Sequence, residues 1–246
     1  MTTLVVGASG ATGRLVVKQL LAEGERVSVI VRSMDGLPET FARSEGLTIT
    51  VANLLDLSDE DLLQHVQGCR AIVSCLGHNM SIKGMFGQPT RLVAQGVQRL
   101  CQAVEKTTAQ VPVKFVLMNT TGNSNRDIPE VVPLSQRIVI AIIRKLLPPH
   151  LDNELAADFL RQELGQNNSL LEWVVVRPDG LFDEDEVTVY DTHVSPTRNA
   201  IFDAGTTSRI NVASFMVRLV NEDLLWSHWK GKMPVIYNDD KNGNML

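Results

Sequence analysis

The sequence predicts an α/β fold of the Rossmann type: a doubly wound, mainly parallel sheet with helices on both faces. Three observations predict it. Short β-branched runs alternate with longer helical patterns, as a parallel sheet wrapped by helices requires. Two of those runs, Phe115-Val116-Leu117-Met118 and Trp173-Val174-Val175-Val176, are continuously apolar, as strands buried on both faces are. A glycine-rich turn follows the first run directly and opens a helical pattern.

In chain order, the strands read Leu4–Gly7, Arg26–Val31, Leu47–Ala52, Ala71–Leu76, Val113–Asn119, Glu172–Arg177 and Val235–Tyr237, with a short one at Val187–Tyr190. The helix after the first strand carries Leu15, Val16, Leu20 and Leu21. Leu92, Val93, Gly96, Val97, Leu100, Cys101 and Val104 recur at spacings of three and four, which puts them on one face of a helix after Pro89. Leu151, Leu155, Phe159 and Leu160 do the same for another helix. The run Ile138–Ile143 is apolar nearly all round a helix. Core burial, a dimer or partner surface, and a flavin-facing lid account for it, in that order. Residues 179–208 form a small variable, substrate-side region, and the tail from Asp239 reads as frayed.

At 246 residues, with 44% hydrophobic and 21% charged side chains, the chain suits one globular domain over 1–246. A net charge of −5 gives no footprint for nucleic acid. Cys69, Cys75 and Cys101 are odd in number and lack paired spacing, so reduced thiols, no metal and a cytoplasmic location are expected. The start Met1-Thr2-Thr3-Leu4 shows no export signal, and the apolar run ending at Arg144-Lys145 is too short to span a membrane.

Gly7-Ala8-Ser9-Gly10-Ala11-Thr12-Gly13 has the strand–turn–helix context of a dinucleotide-binding turn. A pyrophosphate needs a tight turn, a backbone without Cβ at its approach, and free N–H groups at a helix N-terminus. The end of the second strand reads Val31-Arg32-Ser33, where NAD binders carry an acidic residue. Arg32 can pair with a 2′-phosphate and Ser33 can add a hydroxyl, so NADP(H) is expected over NAD(H). Asn53, after the third strand, is a candidate adenine contact.

These motifs, with Asn119-Thr120-Thr121-Gly122, Arg177-Pro178 and Ser208–Ala213, resemble the atypical short-chain dehydrogenase/reductases, closest to the NmrA-like and the biliverdin-reductase-B and flavin-reductase-like proteins. The resemblance spans nearly the whole chain. In the wider superfamily a Ser or Thr after the fifth strand works with a Tyr and a Lys spaced i, i+4 on a helix. Thr120 matches the hydroxyl position, but His150 and Glu154 stand in the Tyr and Lys places, so the dyad is absent. The spacing Tyr237 to Lys241 falls in a turn-rich tail and reads as coincidence.

By this resemblance, hydride passes from the nicotinamide to a stacked flat acceptor such as a flavin or quinone, with Leu76, Gly77 and His78 after the fourth strand and Thr120 after the fifth beside the ring, and Arg177–Gly180 closing the wall. His78 and Thr120 are the candidate catalytic residues. Cys75 reads as a packing residue, and Tyr190 and His193 as surface residues. The alternative is a non-catalytic NADP(H)-binding regulator of the NmrA-like kind.

Overall fold

The structure, a computed structural model, describes residues 1–78 and 87–238. Its strands are β1 (Thr2–Val6), β2 (Arg26–Val31), β3 (Leu47–Val51), β4 (Cys69–Ser74), β5 (Val113–Met118), β6 (Leu171–Pro178), β7 (Gly180–Phe182), β8 (Tyr190–His193), β9 (Thr206–Ser208) and β10 (Val235–Asn238). Its α-helices are α1 (Ala11–Ala22), α2 (Asp59–Val66), α3 (Leu92–Glu105), α4 (Leu134–Leu146), α5 (Pro148–Asp158), α6 (Arg209–Asn221) and α7 (Asp223–Trp229).

Among the described residues, one sheet of eight strands runs in the order β3-β2-β1-β4-β5-β6-β10-β8. All its pairings are parallel except that of β8 with β10. Because β1 lies between β2 and β4, the direction of winding reverses there, and ligands of such sheets bind at the carboxyl ends of the strands flanking this point.

The apolar side chains alternate to two layers. One joins Leu4, Ile72, Phe115 and Val175 to α2, α3 and α5. The other joins Val5, Val29, Val116 and Val174 to α1, α6 and the tryptophans of α7. Burying each such side chain contributes about 1.5–3 kcal/mol, so both faces of the sheet are held by their helices.

The predicted strands of the main sheet are present with their ends moved by one or two residues. The short strand expected at Val187–Tyr190 instead occupies Tyr190–His193. Thr188 gives its N–H to the Asn211 side chain at 2.9 Å, and pairing starts only where Tyr190 meets Asn238. Tyr237, the last residue of the strand predicted at Val235–Tyr237, is a buried residue of β10; Lys241 and the tail from Asp239 lie outside the described residues. Tyr190 and His193 are half-buried rather than surface residues: Tyr190 packs edge-on against Phe215, and His193 against the Tyr237 ring.

A larger correction concerns α4. Of its thirteen residues only Gln136 and Ile140 are buried, while Leu134, Ile138, Ile142 and Leu146 are each more than half exposed. Of the run Ile138–Ile143 only Ile140 is buried, with Val139 and Ile143 partly covered, while Ile138, Ala141 and Ile142 are exposed, so core burial accounts for one side of the run and not for the whole of it.

Candidate functional site

At the switch point, Gly7 and Gly13 are required by the protein's own packing. Gly7 has φ +76°, and a Cβ there would lie 2.3 Å from the Cys75 carbonyl oxygen. A Cβ on Gly13 would lie 2.2 Å from the Gly7 oxygen. Gly10 differs: its Cβ would meet only the Gly7 oxygen, at 3.2 Å. The absence of a side chain at Gly10 therefore serves whatever approaches the turn from outside.

The helix that starts there is equally informative. Gly10 is the N-cap of α1, with no side-chain hydrogen bond and no acidic residue in the first turn. By contrast α2 begins with a full Ser58–Asp61 capping box, and α6 with a Ser208 cap. Bare amides at a helix start, in a turn of glycines and small side chains, suit a phosphate.

A cleft of about 320 Å³ opens on this turn. Gly7, Ser9, Gly10 and Ala11 line one side, Arg32 and Asn53 one end, and Leu76, Gly77 and His78 the other end. Thr12 and Gly13 are buried within α1, and Ser33 is exposed just outside the lining. Arg32 is exposed and forms no ion pair among the described residues. Asn53 uses its amide locally, donating to Asp56 at 2.8 Å, which shapes the turn after β3. Burial pushes the Cys75 thiol up to about 12, so it is not a thiolate near neutrality.

His78 is not a solvated loop residue. Its side chain is 5% exposed, and its Nε2 lies 2.8 Å from Oδ2 of Asp152, which is itself fully buried. The same carboxylate accepts the N–H groups of Val93 at 2.8 Å and Ala94 at 2.9 Å. Asp152 of α5 thus caps α3 from outside and fixes the imidazole on the cleft wall. Sequence reasoning missed it; its only local signal is a carboxylate two residues beyond His150.

Thr120 does not line the cleft. Its Oγ1 accepts the Gly122 N–H at 3.2 Å, and its own N–H donates to Asn119 Oδ1 at 2.9 Å. A Cβ on Gly122 would sit 3.7 Å from the Thr120 Oγ1 and 3.4 Å from the His150 ring, so Thr120 and His150 flank the same glycine.

Glu154, at the Lys place, binds Arg144 through two hydrogen bonds of 2.6 and 2.7 Å and lies 3.5 Å from His150. Burial alone would raise its pKa, but these partners outweigh burial and hold it at about 2. A depressed folded value means stabilisation that is present above the unfolded value of 4.5 and lost as pH falls toward about 2. Glu154→Gln should therefore lower unfolding stability at neutral pH by about 1.5–3 kcal/mol. Denaturant titrations at descending pH should show the deficit shrink across that window; a constant deficit would contradict the pairing.

Arg177 is not a ligand-facing wall residue but a buried brace, completely enclosed. It donates to Glu130 at 2.7 Å, to the Met233 oxygen at 2.8 Å and to the Asn123 oxygen at 2.9 Å. Asp179 follows, its pKa raised by burial, and accepts the Gly205 N–H at 2.9 Å. Among the described residues no cluster of His, Cys, Asp or Glu could hold a metal, and no helix is long and apolar enough to cross a membrane.

A family model described as NAD(P)H-binding matches residues 7–223. No relative among curated proteins matches the sequence. Of solved structures, the oxidoreductase ylbE of Lactococcus lactis is similar at 19% identity and a TM-score of 0.67, over 97% of this chain and 91% of that one. A short-chain dehydrogenase/reductase of Veillonella parvula in complex with NADP has 15% identity and a TM-score of 0.68, over 96% and 94%. ChuY, an anaerobillin reductase of Escherichia coli O157:H7, has 16% identity and a TM-score of 0.65, over 98% of both chains. These likenesses establish the common fold.

Proposed function

The chain belongs to the NAD(P)H-binding family, and from that premise we propose that it is an NADPH-dependent cytoplasmic reductase passing hydride to a flat conjugated acceptor, such as a flavin or quinone. The observation that carries this reading is the cleft, where a glycine-rich phosphate turn at one end faces an oriented imidazole at the other. Bound NADPH supplies the hydride. The protein's residues then have to position two rings, which needs no Tyr–Lys pair.

In this reading Gly7, Ser9, Gly10 and Ala11 receive the pyrophosphate, with Thr12 and Gly13 forming the turn beneath. Arg32 pairs with the 2′-phosphate, Ser33 supports it, and Asn53 lies beside the adenine. Leu76 and Gly77 bound the nicotinamide, Thr120 stands outside that lining on the side of the acceptor, and His78 orients an acceptor atom or delivers a proton.

Arg32→Asp is expected to weaken NADP(H) binding and reduce its margin over NAD(H), by about 1–3 kcal/mol for a lost charge-assisted hydrogen bond. Calorimetric titration of both cofactors tests this; equal affinities in the parent chain would remove the preference.

The function itself is tested by the loss of NADPH absorbance against flavins, quinones and biliverdin. Thr120→Val should slow turnover about tenfold, the equivalent of one hydrogen bond, and His150→Ala should stay within a few-fold. A thousandfold drop for His150→Ala at unchanged cofactor affinity would reveal a general acid and overturn the positioning mechanism. A second reading, a non-catalytic NADP(H)-responsive regulator, is favoured by one observation: the Lys place is taken by a glutamate locked to Arg144. Tight cofactor binding with no turnover across the panel would select it.

A further inference from the structure

A second cavity, of about 360 Å³, lies between α4 and the 122–132 loop. Gly122 is on its wall, and Gly122 is the residue flanked by Thr120 and His150. The cavity therefore begins beside the Thr120 hydroxyl, assigned above to the acceptor side, and the His150 ring. Its remaining surface combines an apolar wall of Ile128, Pro129, Val132, Ile140 and Ala141 with the charged side chains Arg126, Arg137, Arg144, Glu130 and Glu154.

The charges do not cancel. Both glutamates are already matched, Glu130 by the enclosed Arg177 and Glu154 by Arg144. Arg126 is matched by Asp158 at 3.0 Å. Arg137 makes no ion pair or side-chain hydrogen bond among the described residues, and the cavity keeps one positive charge in excess. The helix that supplies it buries Gln136 and Ile140 and leaves most of the rest of its surface open. Positions 137, 140, 141 and 144, one face by their spacing, look onto the cavity, while Leu134, Ile138, Ile142 and Leu146 look outward. An unmatched arginine beside an apolar wall selects a molecule that is apolar in body and negative at one end.

We propose that this cavity holds the acceptor, an apolar molecule bearing one carboxylate-like group that pairs with Arg137. The word acceptor rests on the reductase reading; the binding of such a molecule does not.

The test is calorimetric titration of the full chain, with NADPH present, using 2-naphthoate and its uncharged counterpart 2-naphthylmethanol. Naphthoate should bind about tenfold more tightly, as a charge-assisted hydrogen bond implies, and Arg137→Gln should erase that difference. Arg137 is exposed, so the variant leaves the fold alone. Ala141→Trp, at another exposed lining position, should fill the hollow and weaken both probes. Ile142→Ser, on the outward stripe, should change neither. Equal affinities in the parent chain, or a preference surviving Arg137→Gln, would overturn the proposal. So would lost binding in Ile142→Ser, which would put the probe on the outer face of α4. Arg137-dependent binding without turnover of any acceptor would support the site while refuting the reductase.

Discussion

Gly10→Val is expected to abolish measurable NADP(H) binding while leaving the circular-dichroism spectrum and thermal unfolding close to those of the parent chain. The argument rests on where the added atoms go. At position 10 a Cβ meets one carbonyl oxygen at 3.2 Å, and the residue has an ordinary extended conformation, φ −75° and ψ 163°. The conformation suits any residue, and the one tight contact requires the Gly7 carbonyl to give by a few tenths of an ångström. A bound pyrophosphate, however, would have to pass valine methyls to reach the amides of α1. Losing two or more charge-assisted hydrogen bonds, each worth about 1.5–3 kcal/mol, amounts to at least a hundredfold in affinity. Gly7→Ala and Gly13→Ala provide the contrast. Their Cβ atoms would fall 2.3 and 2.2 Å from backbone oxygens, so they should lower stability by about 1–3 kcal/mol or more whether or not cofactor is present. Retained affinity in a folded Gly10→Val protein would displace the phosphate site from this turn.

The largest stability effect is expected from Arg177→Met. This guanidinium ties the 122–132 loop, through the Glu130 carboxylate and the Asn123 carbonyl, to the Met233 carbonyl. Glu130 in turn accepts the Asn125 N–H at 2.8 Å. Removing the cation leaves an almost fully enclosed carboxylate and two enclosed carbonyls unmatched, a cost of about 3–5 kcal/mol. Glu130→Gln added to Arg177→Met should restore part of the loss, since no charge then remains uncompensated. Urea denaturation of the two single variants and the double variant measures this coupling. A cost below about 1 kcal/mol for Arg177→Met would mean that solvent already reaches the pair.

The elements that sequence alone discloses are those whose determinants are local. The β1–turn–α1 unit lies within the first 22 residues, and its glycines, apolar run and helix pattern are neighbours in the chain. The strand cores of β5 and β6 are equally plain, because a strand enclosed on both faces shows an unbroken apolar run.

Other features depend on partners far along the chain. Asp152 acts on His78, 74 residues away, and Arg177 on Glu130, 47 residues away; nothing near either residue announces the partner. The run Ile138–Ile143 is apolar all round, so it contains no information about which side turns inward. The three-residue strands β7 and β9, which pair only with each other, are too short to carry a period. The last strand is predicted one residue short because the polar residues after Tyr237 look like the start of a tail, whereas pairing with β8 extends it through Asn238.

The carboxylate of Asp152 has a kinetic consequence. First-turn amides of a helix ordinarily face water and exchange their hydrogens as the end frays. In α3 the amides of Val93 and Ala94 are held instead by a side chain of α5. Their exchange with deuterated solvent therefore requires the two helices to part. The opening of that end of the cleft is tied to a sub-global motion of the helical layer, not to local fraying. Asp152→Ala would turn two slowly exchanging hydrogens into fast ones and remove the carboxylate partner of His78 in the same event.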